Sequence, residues 1–349
     1  MTGVRARGED VRRFILATVG THPTDIARVA AERFGVTRQA IHKHLQRLVA
    51  DRVLEESGQT RSRVYRLMTL SAWGREYPIR PGLAEDQPWR EDVRPLLGDL
   101  PANAINLWQH GFTEIFNNAL DHADAGRIAV RIEKTAVNTT LTIADDGIGI
   151  FRKIQDEFGL SDPRQAVLEL SKGKVTTDPV RHSGEGIFFT TRMFDQFSIE
   201  SGGVRLEHRI APDHDYTLDT GQPDAKGTTV RMTLSNHTSR TTKEIFDQFT
   251  DSEEYTFSRT VVPVELAMYG NEILISRSQA KRVLARVEKF KTVTFDFHDV
   301  PAIGQAFADE IFRVFQNRHP DIRLVAINHS EEVGRMIRRA RSGAGGLPA

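Results

Sequence analysis

The sequence predicts a multidomain α+β protein made of three folded units. Three observations lead there. Residues 1–67 read as helices followed by short strands and are basic, with 13 Lys/Arg against 7 Asp/Glu. The middle of the chain alternates apolar and polar residues around two glycine pairs, "DDGIGI" and "HSGEGI". The last part alternates strand-like and helix-like runs. At 349 residues, the chain is long enough for two or three domains.

Composition removes several function classes. Over the whole chain 47 Lys/Arg balance 47 Asp/Glu, so only local charge carries information about partners. The absence of cysteine excludes disulfides, thiolate catalysis and cysteine-ligated zinc. It fits a reducing compartment, and the expected location is cytoplasmic. No apolar run approaches the roughly 20 residues that span a bilayer, so no membrane association is expected. "RRFILATVG" reads as part of a helix rather than a targeting signal. No internal repeat is visible.

The expected organisation is a first unit over 1–73, a linker over 74–101, a second unit over 102–234, a connecting segment over 235–256, a third unit over 257–341 and a disordered tail over 342–349. The linker rests on five prolines between Gly74 and Pro101, because proline removes a donor and interrupts helices and ladders.

In the first unit, Asp10–Val19, Asp25–Phe34 and Thr37–Ala50 read as helices, with Thr37 placed to cap the third. Ile41, Leu45 and Leu48 fall on one face of that helix; Arg38, Gln39, His42, Lys43 and Gln46 fall on the other. "VLEESGQTRSRVYRL" then reads as two short strands around a loop. This pattern resembles the winged helix-turn-helix domains of bacterial transcription regulators. The resemblance implies double-stranded DNA as partner, with Arg38, Gln39, His42 and Lys43 in the major groove and Arg61 and Arg63 meeting phosphate. The alternative is a solvated basic face on a protein-interaction module. His42 and His44 lack a third ligand at metal-binding spacing.

In the second unit, "FTEIFNNALDHA" read as a helix puts Glu114, Asn118, Asp121 and His122 on one stripe and Phe112, Phe116, Ala119 and Ala123 on the opposite one. A carboxylate and an amide one turn apart can hold a hydrated Mg²⁺ and position a water. Downstream come a strand ending in Asp-x-Gly-x-Gly, a long loop, a Gly-x-Gly leading into a helix, and a Gly-Thr step entering a strand. In this order the motifs resemble the GHKL ATPases, whose Bergerat fold is an α/β sandwich: gyrase-type ATPase subunits, large heat-shock chaperones, MutL-type repair proteins and sensor histidine kinases. The resemblance covers residues 102–234 and implies ATP and Mg²⁺ as cofactors. It implies Glu114 as the residue that polarises the attacking water and Asn118 as the amide ligand of Mg²⁺. Asp145 would accept the adenine amino group, with Gly147 and Gly149 shaping that side. Gly184 and Gly186 would meet phosphate, and Thr228 or Thr229 would lie near adenine. Asp121, on the same stripe, is counted with the nucleotide site. Residues 152–183 would form the ATP lid, with Lys172, Lys174, Arg181 and His182 as candidates for phosphate contact. Two departures are visible. Phe188 and Phe189 follow the second glycine pair where kinases carry Gly-Leu, and Thr113 precedes Glu114 where histidine kinases carry His. No two-helix segment with an acceptor His precedes the domain, which argues against a sensor histidine kinase.

In the third unit, "TVVPVELAM" and "EILIS" around Gly270-Asn271 read as a hairpin. "KTVTFDFHDV", "IGQAFADEIFRVFQN", "IRLVAIN" and "SEEVGRMIRRA" follow as strand, helix, strand and helix, a βαβ pattern with a small parallel or mixed sheet. "FDFHDVPAIGQAFADEIF" resembles the strand–loop–helix of STAS-like domains in anti-sigma-factor antagonists. Those carry a phospho-acceptor serine at the helix start, where this chain has Ile303-Gly304-Gln305-Ala306. A plain α/β dimerisation or docking module is the other reading. His298 and Asp299 sit at a strand end, where neighbours point to opposite faces.

The functional expectation is an ATP-binding, DNA-binding transcriptional or signalling regulator whose output is gated by Mg-ATP, with ATP hydrolysis at Glu114. A protein partner on the STAS-like domain and a homodimer are further expectations. The alternatives are an anti-sigma-factor-like serine/threonine kinase acting in trans, and a nucleotide-binding interaction scaffold that does not hydrolyse.

Overall fold

The computed structural model describes residues 2–59, 62–175, 184–210, 213–219, 225–251, 256–268 and 272–342. The chain opens with three helices, α1 (Thr2–Thr18), α2 (Ile26–Phe34) and α3 (Arg38–Ala50), and an antiparallel hairpin of β1 (Leu54–Ser57) and β2 (Val64–Leu67). Gly35 ends α2 in the left-handed conformation, and the Thr37 hydroxyl accepts the Ala40 N–H to start α3. Ile41, Leu45 and Leu48 are buried with Val11, Ile15 and Ile26 in a core that belongs to this unit alone.

One residue separates β2 from β3 (Thr69–Pro78). β3 is the edge of a seven-stranded sheet, antiparallel throughout, of order β3-β4-β5-β9-β6-β7-β8. The other strands are β4 (Arg127–Thr135), β5 (Asn138–Asp145), β6 (Gln196–Ser201), β7 (Val204–Ile210), β8 (Asp213–Asp219) and β9 (Thr228–Ser235). Between β3 and β4 lie α4 (Asp86–Pro88), a π-helical turn Trp89–Val93, α5 (Arg94–Leu97) and the long α6 (Ala102–His122). Period-two alternation sends Ile128, Val130, Ile132, Leu141, Ile143, Val230 and Met232 to one face of the sheet, where Trp108, Phe112 and Phe116 of α6 cover them.

The expected linker is therefore corrected. Trp89, Val93 and Leu97 are buried, and Asp92 accepts the Tyr77 hydroxyl at 2.7 Å and the Arg75 guanidinium at 2.8 Å. Its prolines are accommodated locally: Pro78 ends β3, Pro95 is the second residue of α5 directly after the π-helical turn, and Pro101 stands at the N-cap position of α6. The expected connecting segment likewise contains α10 (Thr242–Phe249), started by a Thr241–Glu244 capping box and buried through Ile245.

α7 (Ile150–Phe158), α8 (Pro163–Lys172) and α9 (Gly186–Met193) lie between β5 and β6. The third unit is a parallel sheet of order β10-β11-β12, namely β10 (Arg259–Pro263), β11 (Thr292–Asp296) and β12 (Arg323–Ile327). Around it pack α11 (Arg277–Leu284), α12 (Gln305–Asp309), a π-helical turn Glu310–Phe315, α13 (Gln316–Arg318) and α14 (Glu331–Ser342). Among the described residues the flanks of the expected hairpin do not pair with each other. β10 ends at Pro263 and passes into a 3-10 turn, Val264–Ala267, while Leu274 makes a lone parallel bridge to Ile303. Proline supplies no ladder donor, and only Leu274 of Ile273-Leu274-Ile275 is buried. Gly270 and Asn271, like the tail from 343, lie outside the described residues. The second and third units share one continuous hydrophobic core.

Candidate functional site

Four segments of the central unit converge on a cavity of about 410 Å³, in the range of small-molecule sites. The C-terminal half of α6 supplies one wall. Glu114 and Asn118 both line it, one helical turn apart, with His110 a turn earlier and His122 a turn later. The end of β5 and the start of β9 supply the floor, through Ile143, Asp145, Thr228 and Val230. The start of α9 supplies the far end, through Gly184, Glu185 and Gly186.

The two acids of "DDGIGI" have different tasks. Asp145 is half-buried, and its Oδ1 accepts the backbone N–H of Gly147 at 2.9 Å and of Thr228 at 3.2 Å. Burial pushes its carboxyl above the ordinary range, against the pull of those two bonds. Asp146 instead turns outward and accepts the Gly126 and Arg127 N–H groups at 2.8 and 3.1 Å, which hold its carboxyl below the ordinary range.

The glycines meet neighbouring protein atoms, and that contact keeps Asp145 at the cavity. A Cβ on Gly147 would lie 2.0 Å from the Ala123 carbonyl oxygen, and one on Gly149 2.4 Å from the Ser201 hydroxyl. Gly227 has φ +76°, donates to the Gly147 carbonyl at 2.8 Å, and accepts from Ser201 Oγ at 2.9 Å. Thr228 Oγ1 accepts the first N–H of α7, that of Ile150, at 2.9 Å. Gly186 has another neighbour: its Cβ would fall 1.8 Å from Glu114 Oε2, so the carboxylate rests against the start of α9.

Of the residues expected here, Glu114, Asn118, Asp145, Gly184, Gly186 and Thr228 line the cavity, while Gly147 and Gly149 form its support behind. Thr229 does not line it, because its neighbour Thr228 takes the inner face of β9 and strand residues alternate. Asp121 is exposed at the end of α6, where His122 makes the wall instead.

Lys172 and Lys174 point away from the cavity. Lys172 is fully buried; its Nζ donates to Glu169 at 2.9 Å and to the carbonyls of Arg282 and Ala285 at 2.9 and 3.0 Å. Lys174 donates to the Lys289 carbonyl at 3.1 Å and lies over the Phe257 and Phe290 rings. An ammonium removed from water needs such partners, and the third unit supplies them. Arg181 and His182 lie outside the described residues.

Four lining residues were not legible beforehand. Lys153 of α7 donates from Nζ to the His122 carbonyl at 2.5 Å. Glu185, between the two glycines, has its carboxyl pushed up by burial and pulled down by Lys174. His110 packs edge-on against Phe246 of α10, burial lowers its pKa, and its Nε2 has no hydrogen-bond partner among the described residues. The "GEG" and "KGTT" stretches could have pointed to Glu185 and Gly227; nothing local marks Phe246.

On the first unit, Arg38, Gln39 and Lys43 are exposed along α3, and His42 is half-buried. Arg63 is not free for a phosphate: its Nε lies 3.3 Å from Glu56 across the hairpin. Arg38, His42 and Arg63 line one groove with Arg28 and Asp25. Arg61 lies outside the described residues. His298 and Asp299, expected on opposite faces, stand in a turn after β11 with Nδ1 and Oδ2 3.2 Å apart, because Asp299 takes a positive φ of 56°.

Comparison with known families agrees with this geometry. Residues 103–238 match the family described as "Histidine kinase-, DNA gyrase B-, and HSP90-like ATPase". Residues 279–333 match a "STAS-like domain of unknown function (DUF4325)". No curated protein matches the chain. The chain thus carries an ATPase-type domain, which implies ATP binding, and a C-terminal STAS-like domain. No described helix is long and apolar enough to cross a membrane.

The residues present fit Mg-ATP. The cavity has a half-buried carboxylate beside Ile143 and Ala119 at one end and bare glycine backbone at the other. Mg²⁺ is held mainly by phosphate oxygens and water and needs few protein ligands, so Asn118 suffices. No cluster of three His, Cys, Asp or Glu side chains suited to a metal occurs among the described residues.

Proposed function

We propose that this chain is a regulator whose DNA-binding output is gated by Mg-ATP, with hydrolysis assisted by Glu114. The observation that carries the reading is the single cavity on which Asp145, Asn118, Glu114 and the Gly184–Gly186 turn converge.

Bound Mg-ATP supplies the reacting triphosphate and an electrophilic γ-phosphorus. The protein's own groups do the rest. Asp145 keeps Oδ1 committed to Gly147 and Thr228, which leaves Oδ2 to accept the exocyclic amino group of adenine. Asn118 offers its amide oxygen to Mg²⁺. Backbone N–H groups at the start of α9 face the phosphates. Glu114 orients water and takes up its proton as the nucleophile forms. Its contact with Gly186 supports this role, because the start of α9 is where we read the phosphates.

The first unit we read as a winged helix, with α3 in the major groove and Arg38, Gln39 and Lys43 toward DNA. β2 runs into the edge strand of the ATPase sheet after one residue, so a change in that sheet reaches the hairpin without a flexible linker.

The test is incubation with γ-labelled ATP and Mg²⁺, wild type against Glu114→Ala, separating free phosphate from protein-bound label. Free phosphate that falls by two orders of magnitude or more in the variant supports the reading, general-base assistance being worth about 10²–10⁴-fold. Label on protein would make the chain a kinase. Binding without turnover would make it a nucleotide sensor.

A further inference from the structure

The lid helix α8 belongs to two structures at once. Leu170, and Val175 just beyond the helix, line the cavity. Between them, and one residue before, α8 is built into the STAS-like unit. Glu169 and Lys172 are 4% and 2% exposed and form an ion pair. Arg286, from the turn after α11, closes the group with Nη1 2.6 Å from Glu169 Oε2. Thr260 of β10 donates its hydroxyl to the Lys172 carbonyl at 2.6 Å.

The backbone on both sides of this joint is strained. Lys174 and Arg286 take positive φ of 55° and 61°, a conformation side chains other than glycine adopt at a cost. Gly173, at φ +80°, is wedged so closely that a Cβ would lie 2.7 Å from Phe257. Contact with the third unit therefore holds the lid end in an arrangement it would not choose alone.

That arrangement keeps two lysines from the triphosphate end. Among the described residues, Lys153 is the one Lys or Arg that lines the cavity. Lys172 and Lys174, on the segment bordering it, spend their donors on carbonyls of residues 282, 285 and 289. We propose that the STAS-like unit holds the lid in a low-affinity arrangement through the Glu169–Lys172–Arg286 joint, and that triphosphate binding competes with this joint. The inference rests on the ATP reading of the cavity. Its consequence is reciprocal: whatever loosens the joint tightens ATP binding, and ATP loosens the joint by the same factor.

The test uses the full chain. Affinity for a fluorescent ATP analogue with Mg²⁺ is measured for wild type, Glu169→Gln and Thr260→Val. Glu169→Gln removes the countercharge of buried Lys172 and of the quarter-exposed Arg286, whereas Thr260→Val removes a single hydroxyl and keeps the fold if the first variant does not. Each folded variant should bind more tightly, Glu169→Gln by on the order of tenfold, in the usual range of coupling between sites. In wild type, saturating ATP should speed amide exchange in α8 and α11. Equal or weaker affinity in the folded variants, with α8 exchange indifferent to ATP, overturns the joint as a control element. Absence of nucleotide binding in every form overturns the reading of the cavity, and the proposal with it.

Discussion

Gly186→Ala separates the chemistry of the cavity from its stability. The new methyl would begin 1.8 Å from Glu114 Oε2, and ordinary contact starts at 3.4 Å, so the carboxylate must retreat by about 1.6 Å. The atom that yields is the far end of a flexible side chain, so the fold loses little. Alanine at the first position of α9 also helps the helix by up to about 1 kcal/mol. Stability should stay within about 1 kcal/mol of wild type, a shift of a few degrees in Tm. Hydrolysis should fall on the order of 100-fold, the usual effect of moving a catalytic group by about 1 Å. Gly227→Ala calibrates the comparison. There the clash is with the backbone carbonyl of Asp145, at 1.9 Å, and φ is +76°. No side chain can give way, so the loss should reach about 3–5 kcal/mol. The assay pairs thermal unfolding with phosphate release for both variants. Gly186→Ala turning over at the wild-type rate would refute Glu114 as the water-positioning group. A destabilisation matching that of Gly227→Ala would refute the claim that only a side chain stands in the way.

Asp145→Asn should weaken ATP binding about 10- to 100-fold, since hydrogen bonds to charged groups are worth about 1.5–3 kcal/mol. The same change should stabilise the free protein at neutral pH. Burial raises the folded pKa of Asp145, so its contribution is full below the unfolded pKa and is lost as pH rises through the folded one. The advantage of the variant should therefore vanish when pH falls below the ordinary carboxylate range, which unfolding curves at several pH values can check. Arg38→Ala and Lys43→Ala should each weaken DNA binding at low salt and flatten the salt dependence by about one unit of log–log slope per lost phosphate contact. An unchanged slope in titrations would remove α3 from the interface.

Local rules carried much of the architecture because they depend on neighbours in sequence. The Thr37 cap, the buried face of α3, the α6 stripe and the inward alternation of β5 follow from periodicities of 3.6 and 2. The grouping of three candidate residues on one cavity follows for the same reason: Glu114 and Asn118 share a helix face, and Asp145 ends a strand. The choice between Thr228 and Thr229 needed the register of β9 against β5, which pairs Thr229 with Ala144.

Residue types and their spacing thus mark the elements and the polar groups these carry. Where charge and backbone strain are satisfied depends on the packing of distant segments. Lys172 and Lys174 look like phosphate ligands in a lid, yet carbonyls more than a hundred residues away hold them. Five prolines suggest a linker, yet they fall in turns, at element ends or beside the π-helical turn and leave Trp89, Val93 and Leu97 free to enter the core. Burying an ammonium or a tryptophan depends on partners distant in sequence, and no local pattern encodes where those partners lie.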